Sequence, residues 1–320
     1  MSFFSQCVYG VFYALGAWIS FLPFFVKDFF AQSLARLWFY GLRFRRRVIL
    51  HNLSVVFTRD SQESMQDFQN RIEQLAVANC RHMILNLLEI FERFHWSAKN
   101  FSQKVVVEGV EHVRRLQKQG QGFFFVSGHV GNWELITMTG ILLNIRLAVI
   151  TKALRNRFFD DIWVKSRVRY GLELLEEKGS GLATIRAVRE GKAVGFILDQ
   201  HTGEPHGIHT KFLGLDAWCP KGLAILAWRL RVPVLPTYLI RGADGKHHLT
   251  IEAPLDFSSL ENPKYLDSKG ALSEAGLIEH LRICNENMES WIRRYPDQYL
   301  WMHRRFKTAI DYKSKLVWEL

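Results

Sequence analysis

His129 and Glu134 are the two residues in this 320-residue sequence whose types and spacing best suit chemistry. They sit in the stretch Phe123-Phe124-Phe125-Val126-Ser127-Gly128-His129-Val130-Gly131-Asn132-Trp133-Glu134, where an apolar run enters a histidine with glycine on both sides. A helical run follows from about Asn132. A histidine at the carboxyl end of a strand lies where α/β sheets hold their ligands. Gly128 and Gly131 let backbone and substrate come close, and the free N–H groups of a helix start suit a phosphate or a developing oxyanion. Within one helix a five-residue offset would put His129 and Glu134 on different faces. With His129 in the preceding loop and Glu134 in the first turn, the carboxylate can instead hydrogen-bond one imidazole nitrogen. That bond fixes the tautomer and stabilises the imidazolium, while the other nitrogen takes a proton from a hydroxyl. The competing reading is a structural or surface histidine that happens to follow a strand.

The elements that must position this pair are legible as periodicity. Short apolar runs at Val105–Val107, Phe123–Val126, Leu147–Ile150, Val194–Leu198 and Val234–Ile240 read as strands, and His247–Glu252 as an edge strand. Helical stretches such as Leu182–Glu190 and Gly222–Leu230 separate them. The alternation predicts an α/β fold, a mixed sheet flanked by helices, over residues 101–320. A long helix is expected from Asp60 and Glu63 through Phe68, Ile72, Leu75, Asn79, Met83, Leu87 and Ile90 to about Trp96. A last helix runs through Leu277, Leu281, Cys284, Met288 and Trp291 and stops before Pro296.

Residues 1–26 contain no charged side chain, and the spacing predicts one transmembrane helix there. A cleaved signal peptide or a buried core helix would share its composition, but the first basic side chain is Lys27, which is late for a signal peptide. Residues 27–100 read as a membrane-interfacial and helical segment. Phe29, Phe30, Leu34, Leu37 and Trp38 interleave with Lys27, Arg36, Arg43 and the run Arg45-Arg46-Arg47. The positive-inside rule then predicts a single-pass protein with its catalytic body in the cytoplasm. The net charge of +11 favours anionic partners, and hydrophobic residues make up 48% with 10 Trp and 24 Phe.

Several chemistries are disfavoured. Cys7, Cys80, Cys219 and Cys284 are far apart and form no C-x-x-C pair. No G-x-S-x-G, Walker A or G-x-G-x-x-G occurs, and no nucleic-acid motif accompanies the basic charge. His201, His206 and His209 with Glu204 match no standard zinc spacing, so no metal is expected. Cys219 beside Pro220 has no evident base to make it a nucleophile.

The segment around His129 resembles the H-x-x-x-x-[DE] signature of glycerolipid and lipid A acyltransferases. Its form H-x-G-N-W-E is similar to the late acyltransferases of lipid A synthesis, the lauroyl and myristoyl transferase family. Other pieces agree in order. His51-Asn52-Leu53 with Phe57 resembles the family's early N-L-x-x-x-F element. Arg167-Val168-Arg169-Tyr170-Gly171 resembles its R-x-x-x-G element, and Asp199-Gln200 its D-Q. Lys211-Phe212-Leu213-Gly214 resembles F-F-G with Leu for the second Phe. Pro296-Asp297-Gln298-Tyr299-Leu300-Trp301-Met302-His303-Arg304-Arg305-Phe306-Lys307 resembles its long C-terminal string.

The resemblance implies acyl transfer from an acyl carrier protein thioester to a hydroxyl of a 3-hydroxyacyl chain on a lipid A precursor, at the bacterial inner membrane. No cofactor is expected beyond the acyl carrier thioester as co-substrate, and no covalent enzyme intermediate is required, because a thioester is already activated toward an alcohol. His129 would be the base and Glu134 its orienting acid. The expected substrate-binding set is Arg167, Asp199, Asn132 and Arg169, with the resemblance favouring Arg167 over Arg169 for phosphate. Asp199 also suits a turn that opens the loop Gln200–Thr210, a candidate lid. The three histidines of that loop depart from the family pattern. Other lipid acceptors, among them lysophospholipid, glycerol phosphate and a glycosylated phosphoinositide, and a non-catalytic membrane scaffold are the alternatives.

Overall fold

Phe123-Phe124-Phe125-Val126-Ser127 is buried on both faces, and this is the signature of an inner parallel strand. Phe124 and Val126 face one core layer, and Phe123 and Phe125 face the other. The computed structural model describes residues 3–153, 156–177 and 179–319. In chain order, helices α1 (Phe3–Phe21), α2 (Phe24–Arg36), α3 (Arg46–Val56), α4 (Met65–Glu92) and α5 (Ala98–Lys104) precede the first strand. Then come β1 (Val105–Glu108), α6 (Val110–Lys118), β2 (Phe123–Ser127), α7 (Trp133–Ile136), α8 (Thr139–Leu143), β3 (Leu147–Thr151), α9 (Arg157–Val168), β4 (Glu173–Glu176), α10 (Ser180–Arg189) and β5 (Ala193–Ile197). The chain closes with β6 (Gly207–Phe212), β7 (Leu215–Pro220), α11 (Gly222–Leu230), β8 (Val234–Arg241), β9 (His247–Ile251) and α12 (Glu274–Arg294).

The main sheet has the order β1-β9-β8-β2-β5-β3-β4. Its pairs are parallel except β8 with β9, so the sheet is mixed, with β9 and β1 running opposite to the rest. The expected strands are all present, but His247–Ile251, expected at the edge, is an inner strand, because β1 pairs along its outer side. One extra strand, β4, lies at the edge, and its polar ends Glu173 and Glu176 hid it from an apolar-run search.

The loop expected over Gln200–Thr210 is shorter than that. Gly207 already begins β6, which pairs antiparallel with β7. The side chains of β6 alternate between core and solvent, and His209 and Lys211 on the outer face made the segment read as loop. Leu213 and Gly214 both take positive φ at the turn, +52° and +82°. The mirror-image turn of a two-residue hairpin requires that geometry.

The N-terminal segment corrects a second expectation. Residues 1–26 do not form one spanning helix. α1 ends at Phe21, and Pro23, which lacks an N–H to continue the ladder, starts α2. Tyr9–Phe21 and Phe24–Leu42 are bent by 117°, and no single helix among the described residues is long and apolar enough to cross a membrane. α1 lies against the end of α4, with Phe12 stacked on Phe91 at 5.1 Å and the Tyr13 and His95 rings 4.0 Å apart. α2 is tied to α4 by Lys27–Glu92 at 2.8 Å and by Asp28–Arg81. The outward faces remain apolar, with Trp18, Phe21, Phe25, Phe29 and Leu34 exposed.

α4 starts at Met65, later than expected. Ser64 caps it by accepting from the Asp67 amide, and Asp60–Glu63 form a turn ahead of it.

Candidate active site

Topology brings the chemistry together. Ser127 at the end of β2 pairs in register with Ile197 at the end of β5. Two residues further on, the same register sets His129 beside Asp199. The imidazole Nδ1 of His129 is 2.8 Å from Asp199 Oδ1, and the His129 amide donates to Asp199 Oδ2 at 3.0 Å. Asp199 was expected as a substrate-binding residue or a turn former. Its carboxylate is the hydrogen-bond partner of the histidine.

Gly128 makes this approach possible. A Cβ there would lie 2.4 Å from Met288 Sδ and 3.3 Å from Asp199 Cγ. Gly131 has φ +65°, and a Cβ would meet the Leu239 carbonyl oxygen at 2.0 Å.

Burial opposes charge on His129, but the Asp199 carboxylate, its hydrogen bond and Glu134 outweigh it, so the imidazole pKa is raised above its ordinary value. Burial likewise pushes the Asp199 carboxyl up, yet His129 and its two hydrogen bonds win and hold it low. The carboxylate therefore stays ionised beside the imidazole. With Nδ1 engaged, Nε2 is the nitrogen left for substrate.

Glu134 does not hydrogen-bond His129. It lies in the first turn of α7 as expected, but its carboxylate turns to Arg167 Nη2, at 3.1 and 3.2 Å, and to Arg93 Nη1 at 3.4 Å. Two guanidiniums in the same wall are stronger claimants for a carboxylate than a neutral imidazole. Arg167 also donates to Thr151 Oγ1 at 3.2 Å, at the end of β3. Glu134 and Arg167 thus line the site together, and Glu134 acts on His129 through its field.

Two other predicted residues fall outside the cavity wall. Arg169 Nη1 donates to the Phe94 carbonyl at 2.5 Å. Asn132 is buried; its Oδ1 accepts from the Leu135 amide at 3.2 Å, capping α7, and its Nδ2 donates to Glu89 Oε2 at 2.6 Å. Asn132 shapes the loop from behind and is not among the residues lining the cavity.

Behind that loop is a buried network that the spacing analysis missed. Glu89 receives Arg241 through Nε at 3.2 Å and Nη2 at 2.5 Å, and meets His247 at 3.0 Å. Burial would raise the Glu89 pKa, but Arg241 and His247 reverse this and hold it well below the usual carboxylate range. Arg241 also reaches His82 and Asn86, and those two converge on the Gly131 carbonyl at 3.0 and 3.1 Å. His82, Asn86 and Glu89 recur at four- and three-residue steps along α4, a polar stripe that periodicity could have found.

The C-terminal string holds the other edge of the loop. Gly131 donates to the Gln298 carbonyl at 2.8 Å and Leu300 to the His129 carbonyl at 3.1 Å, while Val130 bridges Tyr299. Asn79 grips the Asp297 and Tyr299 carbonyls at 2.8 and 2.6 Å, and Asn52 grips those of Trp301 and His303 at 2.7 and 2.9 Å.

His129, Glu134 and Arg167 open into a cavity of about 1370 Å³. Its walls are largely apolar, with Leu147, Val149, Ile150, Phe196, Leu223 and Ile225 among them. This exceeds the roughly 300–1,000 Å³ of ordinary small-molecule sites. Cys219 is fully buried and receives Arg305 Nη2 at 2.7 Å, so it presents no thiol to the cavity. Among the described residues, no three His, Cys, Asp or Glu side chains gather to hold a metal.

The family model for bacterial lipid A biosynthesis acyltransferases matches residues 4–308. The chain belongs to that family. It is 23% identical over 303 residues to the lipid A biosynthesis palmitoleoyltransferase of Escherichia coli, covering 94% of this chain and 91% of that protein. The E. coli lauroyltransferase is 25% identical over 273 residues (84% and 82%), and the myristoyltransferase 25% over 274 residues (84% and 76%). The protein is an acyltransferase. In this acyltransferase the early N-L element and the C-terminal string, far apart in sequence, form one clamp on the loop that carries His129.

Proposed function

We propose that the protein transfers a fatty acyl group from an acyl carrier protein thioester to a hydroxyl of a 3-hydroxyacyl chain on a Kdo-lipid A or lipid A precursor. The observation that carries this reading is the His129–Asp199 pair opening into a large apolar cavity beside Glu134 and Arg167. His129 Nε2 takes the proton of the acceptor hydroxyl as its oxygen attacks the thioester carbonyl carbon. The carbon–sulfur bond then breaks, and the imidazolium returns the proton to the departing thiolate. Asp199 holds the tautomer that leaves Nε2 free as base, and it stabilises the imidazolium with the field of Glu134. The apolar walls receive acyl chains.

The body attaches to the bacterial inner membrane from the cytoplasmic side. The exposed aromatic faces of α1 and α2 and the basic residues Arg43, Arg45, Arg46 and Arg47 support this placement. The acidic acyl carrier protein would meet a protein of net charge +11.

The test is incubation of the purified protein in detergent with a tetra-acylated lipid A precursor and a mixed set of acyl carrier protein thioesters, read by product mass. A gain of one acyl group, lost in His129→Ala, is the expected result. Acylation of a lysophospholipid or glycerol phosphate alone would replace the acceptor in this reading. No gain with any acceptor would leave a scaffold.

A further inference from the structure

The central strand β5 is less covered than its place in the sheet predicts. An inner parallel strand normally buries both faces, and its neighbour β2 does so from Phe123 to Ser127. On β5, Ala193 and Val194 are buried, but Gly195 and Phe196 are half-buried and Ile197 is 37% exposed. Gly195 pairs with Phe125 of β2 on one side and with Val149 of β3 on the other, and all three line the cavity. A Cβ on Gly195 would lie 3.2 Å from Val149 Cγ1. The missing side chain therefore leaves a trough one strand wide, floored by the β5 backbone and walled by Phe125 and Val149.

One layer further back in the register the trough is shut. Leu147 pairs with Ala193, and both are buried, while Leu147 still lines the cavity. Leu147 is backed by α8, where a Cβ on Gly140 would lie 3.1 Å from the Leu147 Cβ. At the open end, Ser127 and Ile197 pair in the layer nearest His129 and line the same cavity. A parallel strand rises about 3.3 Å per residue, so the run from the Ser127 layer to Leu147 is about 13 Å, with Gly195 halfway along it. A zigzag chain with C–C bonds of about 1.5 Å advances about 1.3 Å per carbon, so this run takes about ten carbons.

The cavity has a second limb on the opposite face of the sheet. Phe196 points there, 5.0 Å from the ring of Phe124, and it lines the cavity with Leu223 and Ile225 of α11. This limb is the more open one: at Gly179 and Gly181 on its rim, an added Cβ would have nothing within 4 Å.

We infer that the narrow limb holds the acyl chain of the donor, and that Gly195, by lacking a side chain, sets how long that chain can be. This rests on the thioester donor proposed above. A donor thioester carries one unbranched chain with its reacting carbon at one end, so it enters tail first until its end meets Leu147. The acceptor brings its hydroxyl on a chain tied to a disaccharide with other chains, and the wider limb suits it. His129 stands at the carboxyl edge of the sheet, where the two limbs meet.

The experiment measures kcat/KM for a graded series of saturated acyl carrier protein thioesters with one tetra-acylated acceptor. Gly195→Val puts a branched side chain across the trough, so the preferred donor should shorten by about five carbons. The ratio of kcat/KM for long over short donors should fall at least tenfold. Leu147→Ala opens the blind end and should move the ratio the other way. Thermal melts check the fold, and if Gly195→Val does not fold, Gly195→Ala should move the ratio in the same direction by a smaller factor. A second arm titrates free saturated fatty acids by calorimetry, without acceptor or carrier. Affinity in the wild type should rise with each added carbon to a plateau, and the glycine variant should reach its plateau at a shorter chain. A shifted plateau with no turnover of any lipid acceptor would reject the proposed transfer and keep the trough. An unchanged plateau, or an unchanged ratio where the wild type turns over, would overturn the trough. So would an equal loss for every donor in a folded variant. If the variants instead select by the length of the acceptor's hydroxylated chain at a fixed donor, the narrow limb belongs to the acceptor and the donor assignment falls.

Discussion

His129 Nδ1 and Asp199 Oδ1 are 2.8 Å apart although 70 residues separate them, because β2 and β5 are neighbours in register. The second carboxylate oxygen holds the His129 amide, so the loop and the ring are fixed by one group. Both partners are nearly closed to solvent, with 12% and 2% of their side chains exposed. A hydrogen bond in that setting sets a tautomer firmly.

Asp199→Asn should therefore retain the fold and lose the chemistry. The amide can keep a hydrogen bond to the ring, but it carries no charge to stabilise imidazolium and can invert the tautomer. The expected loss in kcat is about 10²–10⁴-fold with little change in KM, by analogy with removal of the carboxylate from other His–Asp pairs. Steady-state kinetics alongside a thermal melt checks this; a loss below threefold would remove Asp199 from the mechanism.

The pH profile follows from the direction of the histidine shift. Burial works against the charged ring, and Asp199 and Glu134 overcome it, so the folded pKa lies above the ordinary histidine value of 6.5. The base must be neutral, so activity should fall on the acid side through a midpoint above 6.5. Asp199→Asn should move that midpoint down. The stability linkage has the opposite sense to activity. The His129 contribution is fully present below its unfolded pKa and is lost as pH rises through the raised folded value. The depressed Asp199 contributes above its unfolded value and loses that contribution as pH falls through the lowered folded one. Rate and unfolding measured across the same pH series separate the two.

The strands, the long helix and the position of His129 were legible because each rests on local pattern. Apolar runs such as Phe123–Val126 and Val234–Ile240 are strands buried on both faces, and their composition says so. The partner of His129 was not legible in that way. Short-range spacing pointed to Glu134, whereas the contact depends on which strand lies next to β2, and no local signal encodes that. Arg169 and Asn132 lie off the cavity wall for a related reason: motif membership locates a residue near the site without giving its direction. The break at Pro23 was visible in the sequence but was outweighed by the uncharged run around it.

Glu134→Ala should cost stability as well as rate. Removing the carboxylate leaves Arg93 and Arg167, with 2% and 12% of their side chains exposed, facing each other without a counter-charge. Stranding one member of a buried ion pair costs about 3–5 kcal/mol. The expectation is a fall in unfolding free energy toward that range and at least a tenfold loss in kcat/KM. Adding Arg167→Ala should recover part of the stability and none of the activity. If the double variant is destabilised by the full sum of the singles in denaturant titrations, the two do not act as a pair.

Asn79 tests whether the clamp on the loop reaches the chemistry. Its Nδ2 holds the Asp297 and Tyr299 carbonyls at 2.8 and 2.6 Å, and the same short segment bridges Val130 and accepts the Gly131 amide. Asn79→Ala removes a donor from the buried Tyr299 carbonyl, which keeps the Trp301 amide, and from the half-buried Asp297 carbonyl, so the expected cost is about 1–3 kcal/mol in all. Asn79 touches neither His129 nor the cavity, so acceptor KM should stay near the wild-type value. The loop it helps to hold carries the base, so kcat should fall roughly 10- to 100-fold as the attack geometry loosens. Amide exchange around Val130 and Gly131 should quicken in the variant. An intact kcat with faster exchange would show that the loop tolerates the loss, and would confine the clamp to stability.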